Sequence, residues 1–269
     1  MIKSPFLERY LVGEHVPVWR ELIDLGDKVL DQPILTDALA VCEEIVRRAR
    51  ANLRTLHARL MDLGYEFADP RAILVDAGPD AVADIEKVEH VLGTFPLIAR
   101  VWYQSFASVN FCQADRQLAY REGIRPPTGP DIFGLGSHPV LIFQSLENSR
   151  KQLQHIADQQ AEPLRQMKES GWAEPSGSAE CGQFLPLGGW ASNCEPKGFQ
   201  LPCSGIDGVI YNDGGGDTYF VDELRSAFRW GGFPFWQWAF KNRDLYSPME
   251  YRPNFEKLLP VLKEGLLEL

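Results

Sequence analysis

The stretch from Thr36 to Gly64 constrains this chain more than any other. Apolar residues fall at Leu39, Cys42, Ile45, Val46, Ala49, Leu53, Leu56, Leu60 and Leu63, and these spacings of three and four set one stripe along one face of a long helix. Thr36 is placed to cap its start and Gly64 to end it. A stripe of this length has to be covered by other elements, so the chain must build a packed core around it. Arg47, Arg48, Arg50, Arg54 and Arg59 lie off the stripe and read as a solvated basic face.

The remaining pattern is helices, then short strands, then helices. Pro17 opens a helix running through Trp19 and Leu22 towards Leu30, and Pro33 ends it. Ala72–Val75 is extended. Asp80 is placed to cap a helix with Val82, Ile85, Val88 and Leu92 inside and Gly93 closing it. Leu97–Phe106 predicts another apolar helix. Arg121–Ser137 is a Gly- and Pro-rich loop, Val140–Phe143 a strand, Glu147–Ser170 a polar helix, and Gly171–Gly182 a second loop. Gln183–Leu187, Phe199–Pro202 and Val209–Asn212 are strand-like runs between turn residues, followed by helices from about Thr218 to Trp230 and from about Pro253. This order predicts an α+β fold with a curved, mainly antiparallel sheet and helices packed on one side.

The 269 residues carry a net charge of -10, with the acidic excess in both halves. That argues against a nucleic-acid partner, which needs a surplus of Lys and Arg to neutralise phosphate. The most apolar stretch, Val91–Phe111, is broken by Pro96, Arg100, Gln104 and Asn110, so no membrane association is expected. Lys3, Glu8, Arg9 and Glu14 interrupt any export signal, and the five cysteines make an odd count. Both features point to reduced thiols and a cytoplasmic protein.

Catalytic templates do not fit. The chain has no Gly-x-Ser-x-Gly elbow, Walker loop or His-Glu-x-x-His motif. Gly134-Leu-Gly136 starts like a dinucleotide loop, but Pro139 stands at the third glycine and a strand follows where one should precede. Cys181, Cys194 and Cys203 are separated by twelve and eight residues, whereas structural zinc sites favour close Cys-x-x-Cys pairs. The expectation is folding with no metal and no cofactor. Asp213-Gly-Gly-Gly-Asp217 reads as a turn with Asp217 capping the next helix.

Two segments stand out as binding material. Gly198–Leu224 holds Asp207, Asp213, Asp217, Asp222 and Glu223 with no Lys or Arg, and Phe228–Phe240 holds seven aromatics in thirteen residues. Gly231-Gly232 reads as a reversal that turns Trp230 and Phe233 back into the core. Phe235, Trp236 and Trp238 are left over as material for a partner surface.

Gly64-Tyr-Glu-Phe-Ala-Asp-Pro70, Ile85-Glu-Lys-Val-Glu89, Leu92-Gly-Thr-Phe-Pro96, Val101-Trp-Tyr103 and Ser108-Val-Asn110 together resemble the opening of SUKH-type domains. That superfamily includes cell-wall-synthesis-regulator-like proteins and bacterial immunity proteins. Phe220 to Pro234 resembles the closing block of uncharacterised bacterial proteins with the same opening. The resemblance covers residues 64–269 and makes residues 1–63 an N-terminal helical extension. It implies an α+β domain and a non-enzymatic binding protein, most often an immunity protein that neutralises a toxin by direct contact.

Asp80, Asp84, Glu86, Glu89, Asp207, Asp213 and Asp217, with Trp236 and Trp238, are then the expected contacts to a protein partner with a basic cleft. The rival readings are an intracellular scaffold or regulator of the same fold, and an enzyme with a site around His138, Glu89 or the Asp213 loop.

Overall fold

The computed structural model of the chain describes residues 6–112, 142–151, 154, 183–187, 198–211, 217–234 and 252–269. Helices α1 (Phe6–Leu11) and α2 (His15–Asp24) lead through a 3-10 turn (Gly26–Leu30) to the long helix α3 (Ile34–Asp62). Strand β1 (Leu74–Asp76), helices α4 (Ala81–Leu92) and α5 (Leu97–Ser105), and strands β2 (Phe106–Asn110) and β3 (Ile142–Phe143) follow. Then come β4 (Gln183–Pro186), β5 (Gly198–Leu201), β6 (Val209–Tyr211), β7 (Thr218–Tyr219), α6 (Phe220–Arg229) and α7 (Arg252–Lys263). The expected α+β class is what the structure shows, with the described strands divided between two antiparallel sheets, β1-β2-β3 and β4-β5-β6-β7. The sheets meet where Gln144 N donates to Leu187 O at 2.7 Å and Ser149 Oγ to Pro186 O at 2.7 Å.

The stripe on α3 is the spine of the core. Ala38, Val41, Cys42, Ile45, Val46, Ala49, Leu53, Leu56 and Leu60 are buried, and α1, α5 and α7 all pack on this helix. Within the expected extension of residues 1–63, the described residues 6–63 contribute to the same apolar cluster as Phe95, Trp102, Phe199 and Phe220. Trp102 on α5 sits at the centre of an aromatic group, with ring centroids 4.7 Å from Phe106, 4.8 Å from Phe143 and 5.3 Å from Phe220.

The basic face of α3 departs from expectation. Arg47 and Arg54 are exposed, but Arg50 pairs with Asp76 at 2.7 Å, donates to Ser105 O and lies over the Phe106 ring. Arg48 lies over the Tyr10 ring and Arg59 donates to Leu262 O at 2.8 Å. Long guanidinium side chains reach past the stripe and tie neighbouring elements to it.

Helix starts depart as well. Thr36 lies inside α3 and bonds Gln32 Oε1, and neither Asp80 before α4 nor any side chain at the start of α6 makes a local cap bond. Val82, expected inside, is 46% exposed. The reversal after α6 forms as expected, with Gly231 and Gly232 at φ of 62° and 92°. Phe233 is buried, with its ring 6.0 Å from that of Tyr65, and Trp230 packs partly buried against the core.

Gly93 ends α4 at φ 92°, and a Cβ there would lie 2.7 Å from Pro202 Cβ. Gly93→Ala should therefore cost about 1–3 kcal/mol through left-handed strain and overpacking, read as a drop in urea midpoint. Gly78→Ala, with open space around it, is the control and should be near neutral.

Candidate functional site

The expected contact residues divide three ways. Asp80, Asp84 and Glu86 are exposed on and just before α4. Ile85 and Val88 bury the inner side of that helix, while Val82 and Val91 leave apolar surface beside the acids at 46% and 64% exposure. Asp84 is held by Lys87 at 2.8 Å in an exposed pair, which stabilises little. Asp217 is exposed but lies just before β7, away in sequence from α4. Asp213, Trp236 and Trp238 fall outside the described residues, as do His138, Cys181 and Cys194.

Glu89 turns inward. Its carboxylate receives Arg100 Nη1 at 3.0 Å and the Phe95 N–H at 3.0 Å, closing the step between α4 and α5. Its remaining exposure is 15%, so it offers a partner much less than the acids on the outer side.

Asp207 is the largest departure. It was expected on an acidic surface, yet it is 6% exposed and sits at the junction of three elements. Gly208 N and Phe220 N donate to Oδ1 at 2.8 and 3.1 Å. Trp19 Nε1 and Val221 N donate to Oδ2 at 2.9 and 3.3 Å. Phe220 and Val221 are the first residues of α6, so this carboxylate caps that helix from the loop between β5 and β6, the task expected of Asp217. A helix start leaves its first N–H groups without partners inside the helix, and an acceptor from elsewhere in the chain serves as well as a local one.

The same loop caps a second helix. Leu97 N and Ile98 N at the start of α5 donate to Gly205 O and Ile206 O at 3.1 and 3.0 Å. Cys203 N donates to Thr94 O, and Ser204 Oγ to Asp27. Gly208 fits because a Cβ there would lie 2.8 Å from Pro96 Cγ. Residues 202–208 thus hold α2, α5 and α6 in register. Asp37 works in the same way on α1, accepting from Phe6 N and Leu7 N.

Electrostatics follow burial. Burial pushes the Asp207 carboxyl up to about 7, against the downward pull of its four N–H donors. It pushes the Cys42 and Cys203 thiols up and Cys112 to about 11, so these thiols stay protonated and poorly nucleophilic at neutral pH. Among the described residues no group of three His, Cys, Asp or Glu side chains could hold a metal ion, and no helix is long and apolar enough to cross a membrane. An open groove beside α7 is floored by Trp230, Leu259, Pro260 and Val261, with Glu256, Lys263 and Glu264 also lining it.

Sequence reasoning passed over Asn52. It lies on the apolar stripe of α3, three residues after Ala49 and four before Leu56, and a polar residue at a core position was the available signal. The fold and these side chains define an α+β protein whose helices are capped across the chain. Comparison with protein-family models, curated proteins and solved structures gave no match.

Proposed function

We propose that the chain is a non-enzymatic binding protein of immunity type, which neutralises a toxin by direct contact through the outer face of α4. The observation that carries this reading is the combination of Asp80, Asp84 and Glu86 with exposed Val82 and Val91 on one firmly anchored helix. Acids beside apolar side chains suit a basic cleft, the charges steering encounter and the apolar contacts slowing release. The net charge of -10, the protonated thiols and the resemblance of residues 64–110 to SUKH-type domains agree with it. A cytoplasmic setting belongs to the same reading.

The test is coexpression with the product of the adjacent gene, with growth as readout, followed by association kinetics of the purified pair. The wild-type chain should restore growth, and its association rate should fall roughly tenfold or more between low and physiological salt. Asp80→Lys with Glu86→Lys should lower the rate at low salt with little change in melting temperature, both side chains being exposed. A rate indifferent to salt and to charge reversal overturns the electrostatic face. Failure to restore growth with a folded protein overturns the immunity reading.

A further inference from the structure

Beyond α7 the chain turns at Glu264 and Gly265, and largely buried side chains of other elements read the main chain of residues 267–269 that follows. Asn52, 1% exposed in the middle of α3, donates Nδ2–H to Leu267 O at 2.8 Å and accepts Leu267 N–H at Oδ1 at 2.7 Å. That is the two-bond pairing one strand offers another, made here by a side-chain amide. Arg48 donates to Glu268 O at 2.9 Å and Arg225 to Leu269 O at 2.8 Å, with their side chains only 12% and 11% exposed. His15 Nδ1 lies 3.5 Å from the Glu268 carboxylate.

Arg48 Nη1 is 2.7 Å from His15 Nε2. A guanidinium can only donate, so Nε2 accepts and the ring is neutral with its proton on Nδ1, facing Glu268. Burial and Arg48 lower the His15 pKa, in agreement. The Leu269 side chain is 4% exposed, whereas Leu267 is 41% exposed. The Glu268 side chain is 87% exposed, so the segment is held by its backbone and one buried leucine.

Three nearly buried polar groups, on α3 and α6, aim at main-chain atoms of a single short stretch. A buried asparagine in a helix core is unfavourable unless both ends of its amide are paired, and this one is paired by segment 267–269. We infer that α2, α3 and α6 form a peptide-binding groove for a short segment that presents its main chain and one buried leucine, occupied in cis by residues 267–269. The groove recognises peptide as strand and clamp sites do, through backbone hydrogen bonds for affinity and a side-chain pocket for selectivity. Its own segment, tethered at high effective concentration, outcompetes weak ligands, so a partner presenting the same pattern gains access only when that segment lifts. This inference is independent of the α4 face and stands or falls separately.

The experiment uses the full chain and a fluorescent peptide of residues 263–269. In Leu269→Lys the new cation lies beside Arg225 and the segment should detach. The peptide should then bind about tenfold or more tightly than to wild type, whose groove is filled. Asn52→Ala in the same background, or proline at the peptide position of Leu267, should reduce that binding about tenfold. Equal binding to the variant and wild type, or binding indifferent to Asn52, overturns the groove. Should Leu269→Lys fail to fold, hydrogen exchange on the wild type decides the matter. The Leu267 amide should exchange at least tenfold faster than buried amides of α3, through local lifting of the segment. Exchange of both at one common rate overturns the proposal.

Discussion

Asp207→Ala should destabilise the protein by at least about 4 kcal/mol, and in a domain of ordinary stability this leaves much of the chain unfolded. The loss comes from four N–H donors at once: Trp19 Nε1 and the amides of Gly208, Phe220 and Val221. Each is in the interior, and water cannot replace the carboxylate without entering the core. Asp207→Asn keeps one acceptor oxygen but turns an amide NH2 towards other donors, so it should lose less than alanine and still be clearly destabilised. Urea unfolding followed by tryptophan fluorescence measures both. Asp217→Ala, at the exposed position expected to cap α6, should be close to neutral. Equal effects at the two positions would show that the helix is capped locally after all.

Asp207 also sets a pH dependence with a definite sign. Its carboxyl is pushed up to about 7 in the folded chain, against about 4 for an unfolded aspartate. Between these values the folded chain holds a proton that the unfolded chain has released. The Asp207 contribution to stability is therefore full below about pH 4, declines as pH rises to about 7, and is level above that. The change is on the order of a few kcal/mol. Wild type should unfold at lower urea at pH 7.5 than at pH 5, and Asp207→Asn should lose that difference. A wild-type midpoint that rises across this interval would mean that the four donors and the start of α6 outweigh burial and hold the carboxylate charged.

Trp102→Ala should be the next most damaging change, at about 3–5 kcal/mol. The indole is 1% exposed and fills the space between Phe106, Phe143 and Phe220, so its removal leaves a cavity shared by α5, the β1-β2-β3 sheet and α6. Trp102→Phe should cost much less. It keeps an aromatic ring in the group, and Trp102 Nε1 makes no hydrogen bond among the described residues, so no polar contact is lost. Thermal melts should order wild type, Phe and Ala in that sequence. A Phe variant as unstable as Ala would indicate that the indole N–H has a partner outside the described residues.

What the linear sequence determined is whatever one element can specify alone. The three-and-four spacing from Leu39 to Leu63 defined α3 and its buried side, because a helix of 3.6 residues per turn puts those positions on one face wherever it is placed. Gly93 and Gly231 marked real helix ends, since positive φ is a local property of glycine. The strand-like runs of residues 183–211 became β4, β5 and β6, and the helix–strand–helix order gave the α+β class.

Tertiary structure decided which acids are surface and which are interior. Asp80, Asp207 and Asp217 look alike in the chain, each a short acid near a turn, yet only Asp207 lies where the starts of α5 and α6 and the Trp19 indole converge. Local pattern suggested Thr36, Asp80 and Asp217 as caps. The folded chain instead caps α1 with Asp37, α5 with Gly205 and Ile206 carbonyls, and α6 with Asp207. Arg48, Arg50 and Arg59 went the same way, from an expected solvated face to tethers between elements. The physical reason is common to all of them. An unpaired N–H, a carboxylate or a guanidinium requires a partner of the right kind but not a neighbour in sequence, and packing around α3 brings those partners within reach.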